Sequence, residues 1–266
     1  MSLAFLRPSM QSDITFAGMK QTYPHDQVVP DKDSTLSKKE QVAAMFDSIA
    51  PRYDRVNRIL SGGIDVRWRK KALGFLKPLN PKIILDVATG TADVAILMTK
   101  MLHPEKVIGI DISEGMLEGG RTKIKNDSLE KVIELRKGDS ETINFPEHTF
   151  DAVTVSFGVR NFENLEKGLQ EIYRVLKPGG RLVILEFSKP KFPLMAALYR
   201  FYMQIAAPQV AGWISKNKQA YEYLDNSINA FPEGNNFLNI LSKSGFKQNV
   251  CKRLTFGIAS IYVGDK

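Results

Sequence analysis

From Lys82 onward the chain alternates short apolar runs with longer stretches of helical spacing, and few folds accept that rhythm. The runs are Ile83 to Val87, Val107 to Asp111, Val132 to Arg136, Ala152 to Ser156 and Leu182 to Phe187. Strand, crossover helix and next strand make a parallel sheet covered by helices on both faces. Strands buried on both sides need no polar alternation, which suits a run such as Ile83-Ile84-Leu85. Two later runs, Lys247 to Arg253 and Ile258 to Val263, close the chain and predict an antiparallel hairpin. The expected fold class is therefore α/β, a mostly parallel sheet with a C-terminal antiparallel hairpin.

The 266 residues suit one large α/β domain or two small ones, and 43% hydrophobic content is enough to bury a core. Residues 1 to 36 carry Pro8, Gly18, Pro24 and Pro30 without periodicity and read as a flexible N-terminal extension. From Ser37, a residue suited to capping with Glu40 three places on, Val42, Met45, Phe46 and Ile49 recur at helical spacing until Pro51. Further helices are expected near Tyr221 to Ala230 and Glu233 to Ser244, with Gly245 as the stop. The stretch Phe192 to Trp213 is apolar but broken by Pro193, Arg200, Gln204 and Pro208, so it suits a lid or groove, or a core-covering helix, better than a membrane span.

A single cysteine, Cys251, forms no internal disulfide and has no metal-binding neighbours, which points to a reducing compartment and no metal. Cys251 is expected to pack, and His25, His103 and His148 to face solvent. Met1 to Met10 lacks a basic leader and does not read as a secretory signal. The net charge of +8 is compatible with an anionic membrane surface, but no basic run or aromatic RNA motif supports nucleic acid as a partner. Cytoplasmic location follows, with peripheral contact at the inner membrane face and self-association both left open.

The first strand runs straight into Ala88-Thr89-Gly90-Thr91-Ala92-Asp93, and a helix follows. A glycine turn at the carboxyl end of a strand lets a ligand approach backbone amides, where open α/β sheets bind nucleotides. Asp111 ends the second strand about 20 residues on, placed to accept two ribose hydroxyls. Lys137-Gly138-Asp139-Ser140 offers a carboxylate and a hydroxyl to an adenine amino group. A dinucleotide enzyme also wants glycines and an acid at this spacing. Asp86 just before the turn, Ala92 in place of a second motif glycine and the third site at Asp139 all oppose it. A bound sulfonium, needing no pyrophosphate cradle, tolerates such a turn.

Two stretches resemble the ubiquinone/menaquinone biosynthesis C-methyltransferase family, within the class I S-adenosylmethionine-dependent methyltransferases. They are Tyr53-Asp54-Arg55-Val56-Asn57-Arg58-Ile59-Leu60-Ser61 leading to Trp68, and Arg174-Val175-Leu176-Lys177-Pro178-Gly179-Gly180-Arg181 leading to Leu185-Glu186-Phe187-Ser188. Between them Ser156-Phe157-Gly158-Val159-Arg160-Asn161-Phe162 is similar to the family's segment after strand four. The resemblance runs from about Ser37 to the C-terminus and implies one methyltransferase domain over 37–266, with a Rossmann-like sheet. It implies S-adenosylmethionine as cofactor, held by Thr91, Asp111, Asp139, Ser140 and Ser156, with Gly90 shaping the turn and Asp86 beside it. Two positions depart from the pattern. Ala92 stands where the family usually has glycine, adding a methyl group expected near the cofactor, and Asp65 stands where many members have histidine.

The substrate so implied is a polyprenylated hydroquinone. A ring carbon becomes nucleophilic when a ring hydroxyl loses its proton. With a phenol titrating near pH 10, that requires roughly 3 units, about 4 kcal/mol, of preference for the anion. Arg160 is the candidate to stabilise the phenolate or hold a water that takes its proton, Asn161 to orient the same oxygen, and Tyr53 to bond the ring and close the pocket. Each is otherwise an ion-pair or packing residue. Demethylmenaquinol is the expected acceptor. A ubiquinone precursor, another lipid, or a noncatalytic role as a S-adenosylmethionine-binding or lipid-carrier subunit remain the alternatives.

Overall fold

The computed structural model describes residues 23–193, 197 and 218–266. The stretch expected as a lid, Phe192 to Trp213, therefore lies almost wholly outside the described residues, as do residues 1–22 of the extension. Five parallel strands follow the expected runs: β1 (Ile83–Val87), β2 (Lys106–Asp111), β3 (Ile133–Lys137), β4 (Phe150–Ser156) and β5 (Leu176–Phe187). The hairpin of β6 (Lys247–Leu254) and β7 (Ala259–Asp265) adds to them antiparallel, giving the order β3-β2-β1-β4-β5-β7-β6.

Helices α1 (Lys38–Ile49), α2 (Tyr53–Ser61) and α3 (Ile64–Gly74) precede the sheet. Between the strands lie α4 (Asp93–Leu102), α5 (Glu114–Asn126) and α6 (Leu165–Val175), while α7 (Lys218–Ala230) and α8 (Asn235–Lys243) lead to the hairpin. The start of α1 is fixed as its sequence predicts. Glu40 N–H donates to Ser37 Oγ at 3.3 Å, and Ser37 N–H donates back to Glu40 Oε2 at 2.9 Å.

Alternation along each strand sorts the core into two layers. On one face Leu85, Val87, Val153, Val155, Leu182 and Ile184 pack with Leu169 and Ile172 of α6 and Phe237 of α8. On the other Ile84, Ala152, Val183 and Leu185 pack with Trp68, Leu73, Ala95 and Met98 of α3 and α4. β5 begins six residues before the run that announced it. Phe150 pairs with Leu176 and Ala152 with Arg181, so the Lys177-Pro178-Gly179-Gly180 stretch bulges within the strand. Gly179 has φ +78°, and a Cβ on Gly180 would stand 2.8 Å from the Lys177 carbonyl oxygen, so that stretch is structural.

His25 departs from its expected exposure. The turn Pro24–Gln27 docks it fully buried, edge-on to Phe231 at a centroid distance of 5.5 Å, and its own carbonyl accepts from the buried Lys38 ammonium at 2.6 Å. Neither ring nitrogen has a hydrogen-bond partner. Burial, with Lys38 adding repulsion, lowers its pKa from 6.5 to about 3. Cys251 is half-buried and packs against the core beside β7, and burial raises its thiol pKa.

The His25 site generates a pH prediction. A depressed histidine pKa means that below pH 6.5 the unfolded chain binds a proton the folded one refuses. Stability contributed by the neutral ring is complete above 6.5 and is lost as pH falls toward 3. Thermal melts between pH 7 and pH 5 should show a loss approaching about 1.4 kcal/mol per pH unit from this group, and His25→Leu should remove that component of the slope.

Candidate active site

The turn leaving β1 is bent by three successive left-handed residues at alternate positions, Ala88 (φ 53°), Gly90 (φ 57°) and Ala92 (φ 64°). Two carboxylates hold it. Asp86, at the end of β1 and nearly sealed from solvent, accepts from Thr89 Oγ1 at 2.7 Å and from Thr154 Oγ1 at 2.5 Å. Burial pushes its pKa up to about 6 although both hydroxyls favour the anion. Asp111, at the end of β2, accepts from Gly90 N–H at 2.8 Å and Ser113 N–H at 2.9 Å. Burial raises its pKa too.

These strand ends open into a cleft lined by Gly90, Asp111, Asp139, Ser140, Ser156 and Asn161, as well as by Lys39, Phe46, Met116, Glu141 and Glu163. Five of the seven residues expected at a cofactor thus meet in one place. Asp86 and Thr91 stand behind the turn instead. The Thr91 hydroxyl donates to Asp54 Oδ1 at 2.6 Å and accepts from Lys123 Nζ at 2.9 Å, tying the turn to α2 and α5. Asp139 accepts from Glu141 N–H at 2.9 Å through Oδ1 and is ion-paired to Lys39 through Oδ2. Ala92 does not add its methyl group to the cleft: it is fully buried in the core, 3.2 Å from where a Cβ on Gly120 would stand.

A second cavity, about 260 Å³, lies beside the first. Phe46, Tyr53 and Phe157 line both. The remaining wall is mostly apolar, with Met45 and Ile49 of α1, Val56 and Leu60 of α2, Trp68 of α3 and Leu224 and Ile228 of α7. Arg160 lines this cavity while Asn161 lines the cleft, so neighbouring residues face different compartments. Arg160 is buried and pairs with the fully buried Glu186 at 2.8 Å; Nη1 also donates to Phe157 O at 2.5 Å, and Nε has no partner. Asn161 Oδ1 accepts from the Tyr223 hydroxyl at 3.1 Å, which fixes the amide so that its NH₂ is left as a donor. Burial raises the hydroxyl pKa of both Tyr53 and Tyr223. Asp65 is also in this wall, near the start of α3.

Lys39, Glu141 and Tyr223 carried no motif, and the spacing around Phe46 gave a helix but not the cavity that part of it lines. Their helical spacing was visible, but nothing local says that part of a stripe faces a cavity. No group of three or more metal-ligating side chains occurs among the described residues.

The chemistry of the cleft fits an adenosyl ligand: Asp111 can accept from ribose hydroxyls, while Asp139 and Ser140 can meet an adenine amine. The family model described as the ubiE/COQ5 methyltransferase family matches residues 34–266. A "Demethylmenaquinone methyltransferase" of Bacteroides fragilis is 48% identical over 92% of this chain and 99% of its own. A "Ubiquinone/menaquinone biosynthesis C-methyltransferase UbiE" of Geobacter sulfurreducens is 43% identical over 86% of this chain and 90% of its own. Among solved structures, a SAM dependent methyltransferase from Aquifex aeolicus shares the fold, with TM-score 0.52 at 20% identity, covering 73% of this chain and 88% of that one.

The Arg160–Glu186 pair yields a stability prediction. Glu186→Gln leaves a buried guanidinium without its counter-ion, which should cost about 3–5 kcal/mol, read as a lower urea midpoint at unchanged m-value.

Proposed function

The chain belongs to the ubiE/COQ5 methyltransferase family, and from that premise we propose that it methylates demethylmenaquinol, in its reduced form, at a ring carbon. It is an S-adenosylmethionine-dependent C-methyltransferase of quinone biosynthesis. The observation that carries the acceptor reading is the sharing of Phe46, Tyr53 and Phe157 between a polar, carboxylate-lined cleft and an apolar cavity. A polar cofactor and an apolar ring so housed meet across one wall, which fixes orientation and keeps water from the reacting centre.

S-adenosylmethionine, when bound, supplies an electrophilic methyl group on a sulfonium. Asp111, through the ribose hydroxyls, and Asp139 with Ser140, through the adenine, would hold it in the cleft; Gly90, without a side chain, lets it approach the turn, and Ser156 lies at the end of β4 beside it. On the acceptor side Arg160 places positive charge on the cavity wall, where a phenolate oxygen would develop. Glu186 holds that guanidinium in one pose at the expense of part of its field. Asn161, oriented by Tyr223, presents donor hydrogens, and Tyr53 closes the wall between compartments. Reduction matters because a quinone ring is electron-poor and resists giving a pair to the methyl carbon.

The apolar cavity takes the ring and the first part of a polyprenyl tail. Its wall includes Thr255 and Ile258, on either side of Phe256, which is 70% exposed. Phe192 is also exposed, and Lys189, Lys191 and Arg253 are near in sequence or space. That combination of aromatic and basic groups supports peripheral docking on an anionic leaflet, from which such a substrate is drawn. No helix among the described residues is long and apolar enough to cross a membrane.

Three measurements test this reading. Labelled S-adenosylmethionine should deliver its methyl group to chemically reduced demethylmenaquinol and not to the oxidised quinone; binding without transfer would instead favour another acceptor or a noncatalytic subunit. Asp111→Ala should weaken S-adenosylmethionine about 10–100-fold in calorimetry, the worth of hydrogen bonds to a charged group. Leu224→Trp, which narrows the apolar cavity, should raise the KM for a long-tailed quinol and leave S-adenosylmethionine affinity unchanged.

A further inference from the structure

Removing the hydroxyl proton of a quinol needs a group that arrives at neutral pH able to accept it. The titratable residues lining the apolar cavity among those described are Tyr53, Asp65, Arg69, Arg160 and Tyr223. Arginine has no acceptor and stays protonated. Burial keeps Tyr53 and Tyr223 in their neutral, protonated forms. We propose that Asp65 is the catalytic base that takes the proton from the quinol hydroxyl, an inference that rests on the quinol reading above.

The placement of its two oxygens supports this. Asp65 is 6% exposed, near the start of α3. Oδ1 accepts from Ser61 Oγ at 2.7 Å and lies 3.4 Å from Arg58 Nη1. Oδ2 faces Arg69 Nη1 at 3.5 Å, and among the described residues no hydrogen bond reaches it. The carboxylate is therefore steadied through one oxygen and left with open lone pairs on the other. Arg69 spends its closest contact elsewhere, on Asp93 at 2.6 Å, and so leaves Oδ2 of Asp65 unoccupied. A purely structural acid, placed in a first turn to complement the helix dipole and join α2 to α3, needs neither the cavity wall nor an unbonded oxygen. Aspartates serve as general bases where geometry brings the proton to them and positive charge stabilises the resulting oxyanion.

The step balances as follows. Asp65 takes the hydroxyl proton, and the electron pair so released reaches the ring carbon, which bonds to the methyl carbon. The carbon–sulfur bond breaks with its pair remaining on sulfur. The oxygen of the resulting dienone regains a proton from Asp65, and the ring hydrogen leaves as a proton that reaches solvent when the wall parts for product release. One proton is released per methyl group transferred, and no oxidant or reductant is consumed. The charged and titratable groups around Asp65 are Arg58 and Tyr53 of α2, Arg69 of α3, Asp93 of α4 behind Arg69, Arg160 after β4 and Tyr223 of α7.

The test compares Asp65→Asn with Arg58→Gln, which breaks the same ion pair and spares the carboxylate. Asp65→Asn should lower kcat for a reduced quinol at pH 7 by about 100-fold or more, the range of general-base catalysis. Its S-adenosylmethionine affinity should stay at the wild-type value, and its Tm should fall no further than that of Arg58→Gln, which loses the same ion pair. The deficit should shrink as pH rises, and also with a ring-halogenated quinol whose hydroxyl is more acidic. Arg58→Gln should change kcat less than threefold. The inference is overturned if Asp65→Asn keeps wild-type kcat and pH profile. It is equally overturned if the variant loses activity in step with Tm and cofactor affinity as Arg58→Gln does, since that marks a structural link between helices. Wild-type enzyme in the same assay separates the two readings. An inactive wild type on every reduced quinol defeats the acceptor assignment and this inference with it, whereas an active wild type beside an active Asp65→Asn defeats this inference alone.

Discussion

The turn after β1 is the constraint on which the rest of the site depends. Two alanines and a glycine within five residues hold left-handed backbone, a conformation costing non-glycine residues roughly 1–2 kcal/mol each. It persists because the carboxylates at the ends of β1 and β2 take up its donors, with Asp86 holding the Thr89 hydroxyl and Asp111 the Gly90 amide. The parallel register aligns them: Asp86 pairs with Thr154 across β4, and Asp111 ends the strand on the other side. Burying Asp86 raises its pKa to about 6, so the sheet tolerates a destabilised acid in order to fix the geometry of the turn. The cleft is thus preorganised by backbone and carboxylates alone, before any ligand makes a contact.

Legibility in the sequence follows how local each signal is. Apart from the first six residues of β5, the strands were readable almost to their ends because burial on both faces leaves unbroken apolar runs, and the meeting of Gly90, Asp111, Asp139, Ser140 and Ser156 in one cleft was readable because topology places strand ends together. Helices α2 and α3 were visible only as a resembling motif. They are interrupted by Gly62 and Gly63, both left-handed, and many of their apolar residues serve a cavity wall and not the core. Asp86 and Thr91 belong to the turn but do not line the cleft; sequence spacing does not say which way a side chain leaves a bend. His25 was expected in solvent because a proline-rich neighbourhood resembles loose chain; its burial depends on Phe231, about 200 residues away, which no local pattern reports.

The two compartments differ in what holds them. The cleft is built on the sheet, where backbone ladders and a close-packed core make displacement costly. The wall of the apolar cavity comes instead from α1, α2, α3 and α7. Asp54 of α2 meets Lys123 of α5 at 2.5 Å and Thr91 at 2.6 Å, Lys123 meets Asp93 at 2.7 Å, and Asp93 meets Arg69 of α3 at 2.6 Å. These side chains are a quarter to a third exposed for the most part, so each link contributes only about 0.2–1 kcal/mol. A chain of weak polar links is easier to open than the sheet behind it. The structure therefore pairs a rigid seat for the polar ligand with a more easily parted wall for a bulky apolar one, and Thr91 joins the two by touching both the turn and α2.

That division also accounts for where charge is buried. In the apolar compartment Arg160 is neutralised by Glu186 and Asp65 is flanked by Arg58 and Arg69, so among the described residues each of these ions at the cavity has a partner. Replacing such pairs with apolar side chains would usually cost little stability or even add some. On the proposed reaction their place beside an otherwise hydrophobic wall has a chemical reason: an apolar substrate that must become an anion needs positive charge and a proton acceptor already fixed, because water that would otherwise supply both is excluded. Partial neutralisation keeps the compartment stable enough to form, and the proposed base at Asp65 would draw on the oxygen that no hydrogen bond reaches among the described residues.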